Sequence, residues 1–129
     1  MDIAPLIREA VHLAQQTLSG NQVEIKIVTD QFGSPTLAGE LANVIWQLIE
    51  TDRSGIYHVS GSECKSRFDW AKDIADFFSL DNSNIQPIVT SELGQPAPRP
   101  LNSGFILDKM VRDTGIHMSG IRTQLQSIA

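Results

Sequence analysis

The sequence predicts one small α/β domain over residues 1–129, in which short strands alternate with about four to five helices. Val23, Ile25 and Ile27 alternate with charged residues, which is the two-residue period of a half-buried strand. Apolar residues over 37–49 then recur at helical spacing. The polar junction over residues 30–36 joins the two patterns. Loops at such strand-to-helix junctions often bind ligands in α/β proteins, so we expect a binding edge here.

Composition narrows the possible functions. Hydrophobic residues make up 41% and charged residues 19% of the chain, which fits a soluble globular protein. The formal net charge is −5 and Lys and Arg do not cluster, so we expect no nucleic-acid partner. We find neither a long apolar run nor a signal-peptide pattern, and we therefore expect no membrane partner and a cytoplasmic location. Cys64 is the only cysteine, which excludes an internal disulfide and a cysteine-cluster metal site.

The junction Asp-Gln-Phe-Gly-Ser-Pro-Thr combines several turn-forming residues. Gly33 can supply a positive φ, and Pro35 fixes its own φ while biasing the preceding residue away from helix. Thr36 is expected to cap the following helix through its hydroxyl. An ordinary strand-to-helix turn would explain these residues, but it leaves three polar side chains without an evident role: Asp30, Gln31 and Ser34.

The other elements follow from the same criteria. Ser66 and Asp69 form a pattern like a capping box at the start of an aromatic-rich helix, whose aromatic residues we interpret as core. Pro87 places its strand at a sheet edge. Further helices are expected over residues 2–19, 107–114 and 119–128, and further strands over 55–61 and 85–89.

The irregular stretch over residues 90–104 is long for a compact domain, and such stretches are often functional. Its most informative residue is Arg99, which Pro98 and Pro100 present on a stiffened backbone. A guanidinium is permanently charged and suits bidentate contact with a phosphate. A solvated loop arginine is the alternative interpretation.

Three segments together resemble one family. The junction at 30–36 is similar to the DQFGSPT stretch of dTDP-4-dehydrorhamnose reductases, which are extended short-chain dehydrogenase/reductases. Residues 55–61, Gly-Ile-Tyr-His-Val-Ser-Gly, are similar to the GIYHxSG strand of that family. Residues 99–103 are similar to its RPxNS loop, which closes over the nucleotide-sugar. The resemblance extends in order from about residue 3 to residue 128.

The resemblance implies part of an oxidoreductase of dTDP-L-rhamnose biosynthesis. Such an enzyme transfers hydride from NADPH or NADH to the 4-keto group of a dTDP-sugar, and it requires a glycine-rich phosphate loop and a Tyr-x-x-x-Lys pair. The sequence contains neither, because Tyr57 is the only tyrosine and Gly61 stands four positions later. We therefore expect a C-terminal substrate-binding domain whose N-terminal cofactor domain is absent, with no catalytic, cofactor-binding or metal-binding residue.

The resemblance also suggests residue roles. Arg99 would pair with the diphosphate of the dTDP-sugar. Gln31, and with it Asp30, would hydrogen-bond the ligand or orient the loop. Asn102 and Ser103 would hold the second loop or touch the nucleotide. Four residues would shape the two loops: Gly33, Pro35, Pro98 and Pro100.

Three functions stay open on the sequence. The first is the dTDP-sugar-binding domain just described, inactive alone and partnered by a cofactor domain or a second copy. The second is a non-catalytic regulatory module on the same scaffold, as in the regulatory subunit of methionine adenosyltransferase. The third is the equivalent domain of another nucleotide-sugar epimerase or dehydratase. Whether this chain is itself an enzyme is left undecided by the sequence.

Overall fold

The computed structural model describes residues 24–129, so the helix expected over residues 2–19 and the start of the first strand lie outside the described residues. The strands are β1 (Ile25–Val28), β2 (Phe32–Gly33), β3 (Lys65–Ser66) and β4 (Ile85–Ile88). The helices are α1 (Ala38–Glu50), α2 (Arg67–Phe77), α3 (Thr90–Leu93), α4 (Asp108–Thr114) and α5 (Ile121–Ile128). This order confirms the predicted small α/β domain.

The described strands form two small sheets. Strands β1 and β4 pair in parallel, with Ile25 opposite Ile85 and Val28 opposite Ile88. Parallel pairing needs a long crossover, and α1 and α2 lie within it. Strands β2 and β3 pair antiparallel, with Phe32 opposite Ser66. Each described sheet has two strands, so Pro87 lies at an edge, as predicted.

The core lies between α1 and the C-terminal helices. Val44, Met110 and Met118 are buried there, and partly buried apolar residues pack around them. Gln47 ties α1 to the end of α4, because its side-chain amide donates to the Thr114 carbonyl at 3.2 Å. On the other side of the domain, α2 packs against β1, β4 and α5. These contacts fix the start of α2 beside β2, where the candidate site is found.

The ends of the helices confirm two of the capping signals predicted from the sequence. Ser66 caps α2, since its hydroxyl oxygen accepts from the Asp69 backbone N–H at 3.1 Å and its O–H donates to the Asp69 carboxylate at 2.7 Å. Helix α4 ends at Gly115, which has a φ of 71°. Helix α5 begins at Ile121, slightly later than expected, and Ile121 and Leu125 face the interior.

Two expectations about secondary structure were wrong. Residues 55–61 form no strand, and no backbone-to-backbone hydrogen bond joins residues 56–60 to the rest of the described chain. An alternating pattern predicts which faces a strand would present, but it does not supply the neighbouring strand that a ladder needs. The stretch over 90–104 is also not irregular throughout, because its first four residues form α3.

Candidate functional site

Asp30 anchors the junction that follows β1. Its carboxylate accepts from the Thr90 backbone N–H, at 2.9 Å to one oxygen and 3.1 Å to the other. The Thr90 hydroxyl donates to the same carboxylate at 2.7 Å. Bonds to an ionised acceptor are among the stronger hydrogen bonds in proteins, so this carboxylate fastens the junction to the start of α3.

Gln31 is 3% exposed, and its side-chain amide continues the same network. The amide nitrogen donates to the Thr90 hydroxyl and to the Gln95 side-chain oxygen, both at 3.0 Å. Both N–H groups of this amide are therefore engaged within the protein. Of the two roles expected for Asp30 and Gln31, this geometry supports orientation of the loop; direct ligand contact stays a prediction.

The junction and the proline-rich loop lie side by side. The Phe32 backbone N–H donates to the Leu101 carbonyl at 2.7 Å, and the Ser103 backbone N–H donates to the Phe32 carbonyl at 3.0 Å. The Ser103 hydroxyl donates to that same carbonyl at 3.0 Å. Phe32 and Asn102 also form an isolated parallel bridge. Segments about 70 residues apart in sequence therefore share one face of the domain.

A cleft of about 160 Å³ opens where these two segments meet the first turn of α2. The lining residues that matter most for its chemistry are Gln31, Gly33, Arg67, Trp70, Arg99 and Ser103. The structure thus brings five of the residues singled out from the sequence into one cleft: Gln31, Gly33, Arg99, Pro100 and Ser103. Asp30 and Asn102 support the two loops from outside it.

The charge of this cleft comes from two arginines. No carboxylate lines the cleft, and within residues 24–129 neither Arg67 nor Arg99 takes part in a salt bridge. Arg67 is also the first residue of α2, so the positive end of the helix dipole adds to its charge. Two uncompensated guanidiniums at one opening are suited to an anion.

Sequence reasoning missed Arg67 and Trp70. The sequence pattern identifies Arg67 only as part of a helix start, and it places Trp70 in the core with the other aromatic residues of that helix. Residues three apart on a helix lie on the same face, so this spacing could have placed them together. What the sequence could not show is that this face lies beside Gln31, whose backbone carbonyl accepts from the Arg67 N–H at 3.0 Å.

Gly33 is needed for close approach and not for a positive φ. The described glycines with positive φ are Gly55, Gly94 and Gly115, so the expected left-handed conformation at Gly33 was wrong. A Cβ at Gly33 would lie 3.0 Å from the Ser103 hydroxyl oxygen and 3.8 Å from the Trp70 ring. The absence of a side chain lets the second loop and the α2 ring approach β2 directly.

The far end of the junction, at Pro35 and Thr36, packs closely against Gly61. Pro35 offers its carbonyl to the Gln124 side-chain amide at 3.1 Å, and a Cβ at Gly61 would overlap that same carbonyl oxygen. Thr36 does not cap α1, whose N-cap is Leu37, so the expected cap was wrong. The Thr36 hydroxyl instead accepts from the Gly61 N–H at 3.0 Å and donates to the Ser34 carbonyl at 3.1 Å.

Asn102 shapes its own loop. Its side-chain oxygen accepts from the Gly104 backbone N–H at 3.0 Å, a local bond typical of an Asx turn. The thiol of Cys64, which is exposed, lies 3.9 Å from the same oxygen. Pro98, Arg99 and Pro100 are exposed, so the guanidinium is presented from the surface.

A second cleft, of about 380 Å³, is larger but chemically different. Glu63, Lys65, Asp73 and Arg122 are among its lining residues, so charges of both signs meet there. Lys65 binds the carboxylates of Asp73 at 2.9 Å and Glu63 at 3.1 Å, and these hydrogen bonds raise the pKa of its ammonium. Three carboxylates, those of Glu63, Asp73 and Asp76, outnumber the two cations that line this cleft, Lys65 and Arg122. The smaller cleft, which no carboxylate lines, is therefore better suited to an anion.

Two absences hold for the part of the chain that the structure describes. No set of three or more His, Cys, Asp or Glu side chains within residues 24–129 is arranged to bind a metal ion. No helix within the same residues has the length and apolarity that crossing a membrane requires.

The structure is a small α/β domain with an arginine-lined cleft between two loops, and sequence comparison identifies its family. Residues 9–129 match the family described as the RmlD substrate binding domain, and the chain belongs to this family. The chain is 34% identical over 122 residues to dTDP-4-dehydrorhamnose reductase of Aggregatibacter actinomycetemcomitans. That match covers 86% of this chain and 42% of the relative.

Solved structures agree in fold. The dTDP-4-dehydrorhamnose reductase from Bacillus anthracis, solved in complex with NADP, superposes with a TM-score of 0.76 at 34% identity. It matches 89% of this chain, which spans 41% of that protein. The Clostridium acetobutylicum dTDP-4-dehydrorhamnose reductase gives a TM-score of 0.75 at 27% identity, with the same coverage. The chain therefore spans about two fifths of the length of these relatives.

Two further relatives bear on the alternative functions. Methionine adenosyltransferase 2 subunit beta of Xenopus tropicalis is 38% identical over 81 residues, which is 59% of this chain and 24% of that protein. A dTDP-glucose 4,6-dehydratase from Bacillus anthracis has a TM-score of 0.66 at 11% identity, covering 87% of this chain and 35% of the dehydratase. At that identity the likeness shows the fold alone.

Proposed function

We propose that this chain is the nucleotide-sugar-binding domain of a dTDP-4-dehydrorhamnose reductase in dTDP-L-rhamnose biosynthesis. The ligand is the dTDP-4-keto-6-deoxy sugar, and its diphosphate binds in the cleft of about 160 Å³. The observation that carries the proposal is the position of Arg99, which shares one cleft with the junction and has no carboxylate partner within residues 24–129.

Each expected site residue has a role in this proposal. Arg99 pairs with the diphosphate, since a guanidinium makes two parallel hydrogen bonds to phosphate oxygens. Asp30 and Gln31 hold the junction in place through Thr90. Ser103 and Asn102 hold the second loop against Phe32. Gly33, Pro35, Pro98 and Pro100 shape the two loops.

Reduction of the sugar requires a second domain. The relative from Bacillus anthracis was solved with NADP, which supports a nicotinamide cofactor for the complete enzyme. The 129 residues contain no glycine-rich phosphate loop and no Tyr-x-x-x-Lys pair. We therefore propose that these residues form a single substrate domain, that they are inactive alone, and that a cofactor domain, on whichever polypeptide carries it, supplies NADPH and the proton donor.

An apolar surface marks where such a domain would dock. Ile56 and Ile106 are each 81% exposed. Phe105, which precedes Ile106, is 51% exposed and stacks on His58, two residues after Ile56. We refer to Ile56, Phe105 and Ile106 as the apolar surface. It borders residues 56–60, whose backbone groups have no backbone partner in the described chain. A domain that supplies a sheet edge and apolar side chains would satisfy both.

Calorimetric titration of dTDP into the purified chain tests the ligand. Removing hydrogen bonds to a charged group costs roughly 1.5–3 kcal/mol, so we expect Arg99→Ala to weaken dTDP binding by about 10- to 100-fold. Arg53→Ala is the matched control, because Arg53 is exposed and does not line the cleft. Unchanged affinity in Arg99→Ala would contradict the proposal.

NADPH oxidation with the 4-keto sugar tests the requirement for a cofactor domain. We expect no turnover by residues 1–129 alone, and turnover once a separately produced cofactor domain is added. Sustained oxidation by this chain alone, coupled to sugar reduction, would refute the proposal.

The second candidate is a non-catalytic regulatory module, which the match to methionine adenosyltransferase 2 subunit beta favours. It predicts a stable protein partner together with no measurable affinity for dTDP. Comparison of dTDP with UDP addresses the remaining alternative, since an epimerase or dehydratase domain for another sugar nucleotide would prefer a different base.

A further inference from the structure

The first turn of α2 contributes two residues to the lining of the cleft, and the proposed function gives neither of them a role. Arg67 and Trp70 lie three residues apart on this helix, and both line the opening that Arg99 also lines. Ser66 caps the helix immediately before them, so the position of this turn is well defined. The cleft is therefore bordered by side chains from three separate segments: the junction, the proline-rich loop and α2.

Trp70 has an indole N–H that lacks a protein acceptor. Its Nε1 atom is buried, and no hydrogen-bond acceptor for it occurs within the described chain. Buried polar groups in proteins are usually hydrogen-bonded, so an orphaned donor at a cleft calls for an explanation. The ring edge next to this nitrogen faces Gly33, where a Cβ would lie 3.8 Å from Cζ2. Trp70 itself lines the cleft, so this orphaned donor belongs to one of the residues that form its wall.

We propose that Arg67 and Trp70 complete a three-donor site with Arg99, and that this site recognises the two linked phosphates of a nucleoside diphosphate. The inference rests on the proposed function and deepens it. The two guanidiniums supply charge, and the indole N–H supplies a directional hydrogen bond to one phosphate oxygen.

Size and charge favour a diphosphate group as the ligand of this cleft. Whole ligands usually occupy pockets of about 300–1,000 Å³, so a cleft of about 160 Å³ fits only part of a nucleotide-sugar. Two guanidiniums without carboxylate partners in the described chain match an anion that carries more than one charge. Inorganic pyrophosphate should therefore bind as the smallest probe of the site.

The test uses the full chain, with pyrophosphate and dTDP as separate titrants. We expect Arg67→Ala to weaken binding of both by at least about tenfold, and Trp70→Phe to weaken both by about threefold to tenfold. Arg67→Lys should recover only part of the loss, because an ammonium lacks the planar fork. Arg53→Ala and Trp46→Phe are the controls, since both residues are exposed and lie outside the cleft.

A spectroscopic readout on the unmutated chain covers the case in which a variant fails to fold. The chain has two tryptophans, and the indole N–H of each gives its own NMR resonance. Pyrophosphate should shift the Trp70 resonance downfield as the bond forms, while the exposed Trp46 resonance stays in place. A Trp70 resonance that does not move at saturating pyrophosphate or dTDP would overturn the inference.

The outcomes separate this inference from the proposed function. Binding of dTDP that Arg99→Ala weakens and Arg67→Ala and Trp70→Phe leave unchanged would overturn the inference alone. Absence of dTDP binding, with pyrophosphate bound through Arg67, would support the anion site and contradict the proposed function. Absence of binding of either titrant would overturn both.

Discussion

The cleft and the apolar surface differ in how completely the described chain hydrogen-bonds their polar groups and covers their apolar side chains. In the junction that borders the cleft, Asp30, Gln31 and Phe32 are each tied to a distant segment by hydrogen bonds of 2.7–3.1 Å. At the apolar surface, Ile56 and Ile106 are each 81% exposed. Phe105 stacks on the His58 ring at 4.8 Å, and the Lys109 ammonium donates to the Ile56 carbonyl at 2.8 Å.

This difference fits our proposal that the cleft binds a ligand and that the apolar surface is covered by a further domain or a second copy. The two loops that form the cleft are aligned by contacts within the domain itself. The apolar surface instead has exposed aliphatic side chains, and it borders residues 55–61, which have the alternating pattern of a strand. Both features are usually covered in a folded assembly. The following predictions test each half of this contrast.

The largest effect should come from displacing the junction. Gly61→Ala would drive a Cβ into the Pro35 carbonyl, which cannot rotate away, so we expect a loss of about 3 kcal/mol or more in the free energy of unfolding. Gly39→Ala is the control, because a Cβ at this position would meet no atom within 4 Å and alanine favours a helix by about 0.5–1 kcal/mol. Urea unfolding of both variants measures the contrast, and equal stability would contradict it.

Removing the anchor of the junction should have the next largest effect. Asp30→Ala deletes the acceptor of the Thr90 backbone and hydroxyl donors, so we expect about 2 kcal/mol of destabilisation together with weaker dTDP binding. Glu50→Ala changes the same charge at an exposed position and should stay within about 0.5 kcal/mol of the unmutated chain. Full stability of Asp30→Ala would show that the junction needs no anchor.

The apolar surface should control association. We expect the isolated chain to self-associate at high concentration, and the double substitution Ile56→Lys with Ile106→Lys to weaken association by at least about tenfold, since burying charges at an apolar contact is unfavourable. Ser91→Lys is a charge control at an exposed site on α3. Analytical ultracentrifugation measures the effect. A strictly monomeric unmutated chain at high concentration would be evidence against this surface being an interface.

The smallest effect should come from the Tyr57–Asp113 hydrogen bond, which spans 2.8 Å. The bond lowers the pKa of Asp113 and raises the pKa of Tyr57. The stability that Asp113 contributes is present above its ordinary pKa of 3.8 and is lost as the pH falls through the lowered pKa. The Tyr57 contribution is present below its ordinary pKa of 10.0 and is lost as the pH rises through the raised pKa.

Thermal unfolding across pH measures this contribution. Tyr57→Phe removes the hydrogen bond and with it both pKa shifts. Its loss of stability relative to the unmutated chain should therefore be largest at pH values between the ordinary pKa of Asp113, 3.8, and that of Tyr57, 10.0. A difference that does not change with pH would exclude the bond as its source.

Local patterns predicted the helices well because their signals lie within a few residues. Ser66 and Asp69 are neighbours along the chain, and their capping bonds formed as expected. The prediction failed where a residue's partner is distant. Thr36 has the residue type of a helix cap, but its hydroxyl accepts from the Gly61 N–H. Position 33 requires glycine because the distant residues Ser103 and Trp70 pack against it.

The same limit applies to the candidate site. Arg99 stood out from the sequence because two prolines flank it. Arg67 and Trp70 carry no such local signal, since their importance depends on α2 lying beside β2, and only the folded chain shows the pairing of Phe32 with Ser66. Residues 55–61 illustrate the complementary case, in which the pattern of a strand is present and its partner strand is not found in the described chain.

The most direct test of the account is an NMR titration of the isotope-labelled chain with dTDP. The account predicts that the largest shifts fall on the backbone amides of Phe32, Gly33 and Ser103, on the Arg99 side chain and on the Trp70 indole. Shifts that cluster around Lys65, Asp73 and Arg122, in the larger mixed-charge cleft, would contradict the assignment of the nucleotide diphosphate to the space between the two loops.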